Sequence, residues 1–272
     1  GITNKALFTN EGGIDTQNWS TAYTMPGWSS SISSIACNGN TWIAVGGDGY
    51  WSRSTDNGVT WSARAQMSGW DSYSINSIAC NGSTWVAGGP YGSWSRSTDN
   101  GATWSARAII SGWSSYSIYS IACNGSTWIA VGTYGYWSRS TDNGVTWSAR
   151  VQMSGWDSYN GYSITSIACY GSTWIAVGDN GFWSRSTDNG VTWSARSQLG
   201  TTKLSGIATS GDGFWIISSS DANSSFFWSS QTNGATWTED QCSKNSMSDQ
   251  VNQIATNGNK WITTGTDYLY AT

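Results

Sequence analysis

An all-β chain assembled from one repeated unit is the fold class that these 272 residues predict. Three observations predict it. The string YWSRSTDNGVTWSAR occurs at Tyr50–Arg64 and again at Tyr136–Arg150, with near copies at Ser93–Arg107 and Phe182–Arg196. A second string, SIACNGSTWVAGG at Ser77–Gly89, returns at Ser120–Gly132, with relatives beginning at Ser34 and Ser166. The aligned Trp61, Trp104, Trp147, Trp193 and Trp237 are spaced by 43, 43, 46 and 44 residues, too long for a solenoid coil and right for a four-stranded propeller blade.

Each repeat divides into four short strands. The first is SINSIAC-like, the second TWIAVG-like, the third YWSRS-like and the fourth TWSARAQ-like. All are rich in Trp, Tyr, Ile, Val, Ser and Thr and are bounded by Gly, Asn or Asp. Asn81-Gly82 and Asn124-Gly125 join the first two strands, and both residue types tolerate the positive φ of a type I′ turn. A TDNG turn joins the last two. No segment carries helical periodicity.

Pairs of first and second strands are expected near Ile32–Gly46, Ile75–Gly89, Ile118–Gly132, Ile164–Gly178, Leu204–Ser219 and Val251–Gly265. Third and fourth strands are expected near Lys5–Met25, Tyr50–Met67, Ser93–Ile110, Tyr136–Met153, Phe182–Leu199 and Phe226–Gln241. The expectation is a six-bladed β-propeller filling residues 1–272 as one domain. The last blade would be closed by strands from both termini, which removes free sheet edges. Tyr268–Thr272 also resembles a third strand and competes with Ala6–Asn10 for that place; a seven-bladed count is the lesser alternative.

Composition excludes several functions. Charged residues are 10% of the chain, the net charge is −4, and there are 21 Trp, 33 Gly, 2 Pro and no His. A chain without His has no imidazole base, no Ser-His-Asp triad and no His-ligated metal. A net negative charge disfavours nucleic acid as a partner. No apolar run reaches the ~20 residues of a membrane span. No cofactor or metal is expected. The numbering opens at Gly1 without a signal-peptide pattern, and processing of the N-terminus stays open.

The turn between third and fourth strands carries the sharpest motif. Ser54, Asp56, Gly58 and Trp61 recur as Ser97, Asp99, Gly101 and Trp104, as Ser140, Asp142, Gly144 and Trp147, and as Ser186, Asp188, Gly190 and Trp193. A degenerate copy has Ser230, Gly234 and Trp237, and a weaker one lies at Thr9–Trp19. This spacing resembles the Asp-box, S-x-D-x-G-x-x-W, of sialidases and related BNR-repeat propellers, a group that includes phage virion and secreted bacterial proteins. Local chemistry gives the motif a structural role: the Asp accepts backbone N–H groups of its own turn, Gly supplies positive φ, and Trp covers the turn.

The resemblance implies an Arg triad, a Tyr–Glu nucleophile pair and an acid/base Asp if the chain were a sialidase. No Arg precedes Arg53, and the only Glu residues are Glu11 and Glu239. Arg53, Arg96, Arg139 and Arg185 are equivalent in the repeat, as are Arg64, Arg107, Arg150 and Arg196, so neither set converges on one asymmetric substrate. No catalytic residue is assigned, and the chain is expected not to be an enzyme. Cys37, Cys80, Cys123 and Cys169 share one position of the first strand and are expected as free, small apolar groups; Cys242 stands alone.

Ligand-binding candidates fall on the loops from fourth to first strand and from second to third, which vary between copies. The former carry Trp28, then Trp70, Asp71 and Tyr73, then Trp113 and Tyr116, then Trp156, Asp157 and Tyr159. The latter add Tyr91, Tyr134 and Asp179. Flat rings beside polar groups suit a sugar, whereas burial would make the four Trp wedges between blades. The sequence therefore points to a non-catalytic binding or structural module, extracellular or on a virion surface, with glycans favoured as ligand. The alternatives are a scaffold for other surface or virion proteins and a degenerate sialidase-like glycosidase.

Overall fold

The structure is a computed structural model that describes residues 25–156, 161–220, 227–240, 251–256, 261–265 and 269–271. These fall into two compact units, residues 25–164 and 165–271. Every sheet in both units is antiparallel, with its strands side by side in chain order.

The first unit holds three four-stranded sheets. The first comprises β1 (Ile32–Asn38), β2 (Thr41–Gly46), β3 (Tyr50–Ser54) and β4 (Ala65–Gln66). The second comprises β5 (Ser77–Asn81), β6 (Thr84–Gly88), β7 (Ser93–Ser97) and β8 (Ala108–Ile109). The third comprises β9 (Ile118–Asn124), β10 (Thr127–Gly132), β11 (Tyr136–Ser140) and β12 (Val151–Gln152).

The second unit repeats the plan. Its sheets are β13 (Ile164–Tyr170) to β16 (Ser197–Gln198), with β14 at Thr173–Gly178 and β15 at Phe182–Ser186, then β17 (Lys203–Thr209) to β20 (Thr238–Asp240), with β18 at Trp215–Ser220 and β19 at Phe227–Ser230. The sixth sheet, β21 (Val251–Thr256), β22 (Trp261–Gly265) and β23 (Leu269–Ala271), has three described strands. Leu269 pairs with Thr264 and Ala271 with Ile262, so the C-terminal YLYAT segment supplies the third strand there. The expected N-terminal strands, Glu11 and Cys242 lie outside the described residues, as do Asp157 and Tyr159.

Burial follows from position in the sheet. Second strands are flanked on both sides, and β10 and β14 are buried along their whole length. Their TWIAVG sequence is accordingly continuous in apolar and small residues. The third strands alternate instead, and with an inverted sense: Ser93, Ser95 and Ser97 face inward while Trp94 and Arg96 are half-exposed. Small hydroxyls occupy the inward side because they serve the indoles and turns described below. Adjacent first strands are tied by side-chain bonds, since Ser77 Oγ accepts the Ile121 N–H at 3.0 Å and, in the second unit, Ser166 Oγ accepts the Ile207 N–H at 3.3 Å.

One expectation is corrected. The fourth strands do not span the TWSARAQ stretch; β4, β8, β12 and β16 are two residues each. The turn holds the preceding residues through its own bonds. The chain then touches the third strand through Ser62, whose N–H donates to the Arg53 carbonyl at 2.9 Å and whose Oγ accepts the Arg53 N–H at 3.0 Å, before pairing resumes at Ala65.

Candidate functional site

Each S-T-D-N-G-x-T-W turn is a closed local network. Ser54 Oγ donates to Asp56 Oδ1 at 2.7 Å and accepts the Gly58 N–H at 2.9 Å. Thr60 gives both its backbone N–H (2.8 Å) and its hydroxyl to the same carboxylate. The Trp61 indole N–H reaches the Gly58 carbonyl at 3.1 Å. The copies at Asp99, Asp142 and Asp188 repeat the Ser and Thr bonds. Donation by the Thr hydroxyl, then by the Thr backbone, holds the Asp56 and Asp142 carboxyls at about 2, and Asp99 and Asp188 also lie well below the usual range. All four carboxylates are thus occupied in their own turns. The Thr contribution was hidden in the sequence, where that position reads as unspecified.

The Asn of the same turn joins neighbouring sheets within a unit. Asn100 sits at φ 59°, accepts the Trp85 indole N–H at 3.0 Å on Oδ1, and donates from Nδ2 to Thr41 Oγ1 of the preceding sheet at 2.8 Å. Its carbonyl accepts Arg53 Nε at 2.9 Å. Asn143 repeats all three bonds with Trp128, Thr84 and Arg96, and Asn233 does so with Trp215, Thr173 and Arg185. Arg53, Arg96 and Arg185 are therefore inter-sheet ties. The turn indoles add an edge contact, with Trp104 lying 6.1 Å from Trp51 and Trp147 6.0 Å from Trp94.

Of the two readings of the loop tryptophans, burial favours the wedge for three of the four. Trp70, Trp113 and Trp156 are fully buried, and Trp28 is half-buried. The Trp70 indole N–H donates to Ser95 Oγ at 2.7 Å, Trp113 to Ser138 Oγ at 2.8 Å and Trp28 to Ser52 Oγ at 2.6 Å. A ring with no exposed face cannot stack on a ligand. Trp70, Trp113 and Trp156 pack the core, and Trp70 and Trp113 do so in two separate clusters with Ile75 and Ile118.

The tyrosines of the same loops remain accessible. Tyr91 is 48% exposed, and Tyr73, Tyr116 and Tyr134 are half-buried. Tyr73 meets Tyr91 edge-on at 5.8 Å, and Tyr116 meets Tyr134 in the same way at 5.8 Å, so the two loop types share one face of the first unit. Guanidiniums cover these rings. Arg107 lies 4.4 Å from the Tyr73 centroid, and Arg150 lies 4.2 Å from Tyr116 and 3.8 Å from Tyr136. Asp71 is exposed beside this face, while Asp179 is half-buried in the second unit. Tyr136 was not singled out in the sequence, and Arg107 and Arg150 were read there only as repeat-equivalent residues, without their Tyr partners.

The short helical turns between second and third strands fix the loop tips. The carbonyl of Asp48 accepts Gln66 Nε2, that of Tyr134 accepts Gln152 Nε2, and that of Asn180 accepts Gln198 Nε2, each at 2.8 Å. The thiols lie elsewhere, on the first strands. Cys37, Cys80, Cys123 and Cys169 are unbridged, and Cys80 and Cys123 donate their S–H to the carbonyls of Cys37 and Cys80. Burial pushes Cys80 and Cys169 up to about 12.

No family model and no curated protein matches the chain. Solved structures do. YCF48 bound to D1 peptide is 15% identical over 90% of this chain and 92% of that one, with a TM-score of 0.52. YCF48 from Cyanidioschyzon merolae is 17% identical over 88% and 94%, with a TM-score of 0.57. An ancestral GH74 enzyme is 16% identical over 89% of this chain but only 36% of its own, with a TM-score of 0.66. Identities this low speak for the fold alone, and the fold is an all-β propeller.

Proposed function

We propose that the chain is a non-catalytic propeller that binds a protein partner through the Tyr/Arg loop face of its first unit. The observation that carries this reading is the repeated stack of Arg107 on Tyr73 and of Arg150 on Tyr116 and Tyr136. Tyr and Arg are, with Trp, the residues enriched among interface hot spots, and stacking on a Tyr ring limits the freedom an Arg would otherwise lose on binding. A structural neighbour, YCF48, is described in complex with a peptide, which agrees in kind with this reading. We also read the four turns as Asp-boxes of the BNR-repeat type, on the strength of their Ser–Asp–Gly–Thr bonding. Their carboxylates are committed to backbone and hydroxyl donors, which argues against hydrolysis by paired acids. The low charge and hydroxyl-rich surface suit an extracellular or virion-surface setting.

The reading is tested by selecting a phage-displayed library of random 12-residue peptides on the purified chain, with a glycan array run in parallel. Enriched peptides whose binding drops on Arg107→Ala support it. Retention on glycans with no peptide enrichment would return the face to carbohydrate recognition, and turnover of a fluorogenic sialoside would overturn the non-catalytic assignment.

A further inference from the structure

In the four sheets where the tip before the third strand is described, it has one backbone geometry whatever residue occupies it. Asp48, Tyr91, Tyr134 and Asn180 stand at φ 54°, 56°, 57° and 56°. Their ψ angles are 28°, 30°, 31° and 34°. Asn and Asp enter this left-handed region readily, whereas a bulky ring there is disfavoured. The S-T-D-N-G turns meet the same need with Asn57, Asn100, Asn143 and Asn189, and only these two tips carry Tyr among the positive-φ residues described. At Tyr91 burial does not offset that cost, since the residue is 48% exposed and its ring meets Tyr73 edge-on, whereas Tyr134 is half-buried against Tyr116 and Tyr136.

The frame beneath the tip is generic. A Gly at positive φ follows each tip residue, as Gly49, Gly92, Gly135 and Gly181. The next residue closes the turn by donating its N–H to the residue before the tip, as Ser93 does to the Pro90 carbonyl. The side chain is therefore exchangeable without altering the frame. The second sheet departs further from its siblings: where they carry Gln66, Gln152 and Gln198, it carries Ile109, which is 50% exposed. An exposed ring and an exposed aliphatic side chain thus occupy linked positions of one sheet.

We infer that the left-handed tip is the specificity-determining position of the loop face, with Tyr91 and Tyr134 as contact residues and Tyr91 with Ile109 receiving an apolar side chain of a peptide partner. This inference rests on the protein-binding reading above. The strain is retained because it aims the ring outward; strain of this kind persists where function uses it.

The experiment compares wild-type chain, Tyr91→Asn, Tyr134→Asn and Asp48→Asn against peptides enriched from the random 12-residue library, with affinities by fluorescence polarisation and melting temperatures by circular dichroism. Peptides with an apolar anchor are expected from the wild type. Tyr91→Asn should weaken them by about tenfold or more, while its melting temperature stays within about 3 °C because relief of the left-handed ring offsets the lost edge contact. Asp48→Asn should bind as the wild type does. Undiminished binding by both Tyr variants, or a melting temperature lowered as far as by loss of a buried Trp, would overturn the inference and leave protein binding standing. A wild type that enriches no peptide would overturn both.

Discussion

Replacing Asn100 measures what joins one sheet to the next. Asn100→Gly removes two side-chain bonds and keeps a residue at ease at φ 59°. One lost bond, to Thr41 Oγ1, is an ordinary hydrogen bond worth about 1 kcal/mol. The other leaves the indole N–H of Trp85 without its acceptor, and Trp85 is fully buried, so that orphaned donor costs about 1–3 kcal/mol. The sum is about 3 kcal/mol, which lowers the melting temperature by roughly 6–12 °C for a chain of this size. Asn100→Ala should cost about 1 kcal/mol more, because a Cβ without a polar group is disfavoured in the left-handed region. Urea denaturation of the two variants beside the wild type gives both differences. A loss under about 0.5 kcal/mol for Asn100→Gly would refute a stabilising role for both bonds, the one to Trp85 within the sheet and the one to Thr41 across sheets, and equal losses for the two variants would refute the backbone part of the reasoning.

Further outcomes are expected. Trp70→Ala should destabilise by about 3–5 kcal/mol, read from thermal melts, because it empties a fully buried site and orphans Ser95. Gly101→Ala should also destabilise, since its φ is 75° and its added Cβ would meet Ile43 Cδ1 of the preceding sheet. The turn carboxylates have folded pKa values below the ordinary 3.8, so their stabilisation is present above that value and lost as pH falls through about 2. With no His in the chain, the melting temperature should be flat from pH 5 to 8 and then fall above pH 9, where unfolded thiols ionise and the buried Cys80 and Cys169 do not. Thiol labelling of native protein should modify the exposed Cys37 first and the half-buried Cys80, Cys123 and Cys169 more slowly.

Strand positions were readable because Asn-Gly and Asp-Asn-Gly turns punctuate short Trp- and Ile-rich runs, and turn chemistry of that kind acts within a few residues. The fourth strands were overread. Their residues have strand composition, yet Asp56, Ser54 and Thr60 bind the chain into a turn that runs to Thr60, and regular pairing starts only at Ala65. The candidate site was legible only as a set of loops. Tyr and Trp share those loops and look alike in sequence as flat rings beside polar residues.

What the sequence determined by itself was local and repetitive: the 43-residue period, the all-β class, the turn networks and the equivalence of the four cysteines. Each depends on residues close along the chain or on the recurrence of a string. Tertiary structure decided what faces inward. Trp70 is buried because Ser95, 25 residues away, offers its indole an acceptor, and Tyr91 is left outside because its backbone turns left-handed at a loop tip. It also decided that Asn100 looks across to Thr41 and Arg53 of another sheet. Those pairings join residues 47 and 59 positions apart, and no property of either partner alone announces them.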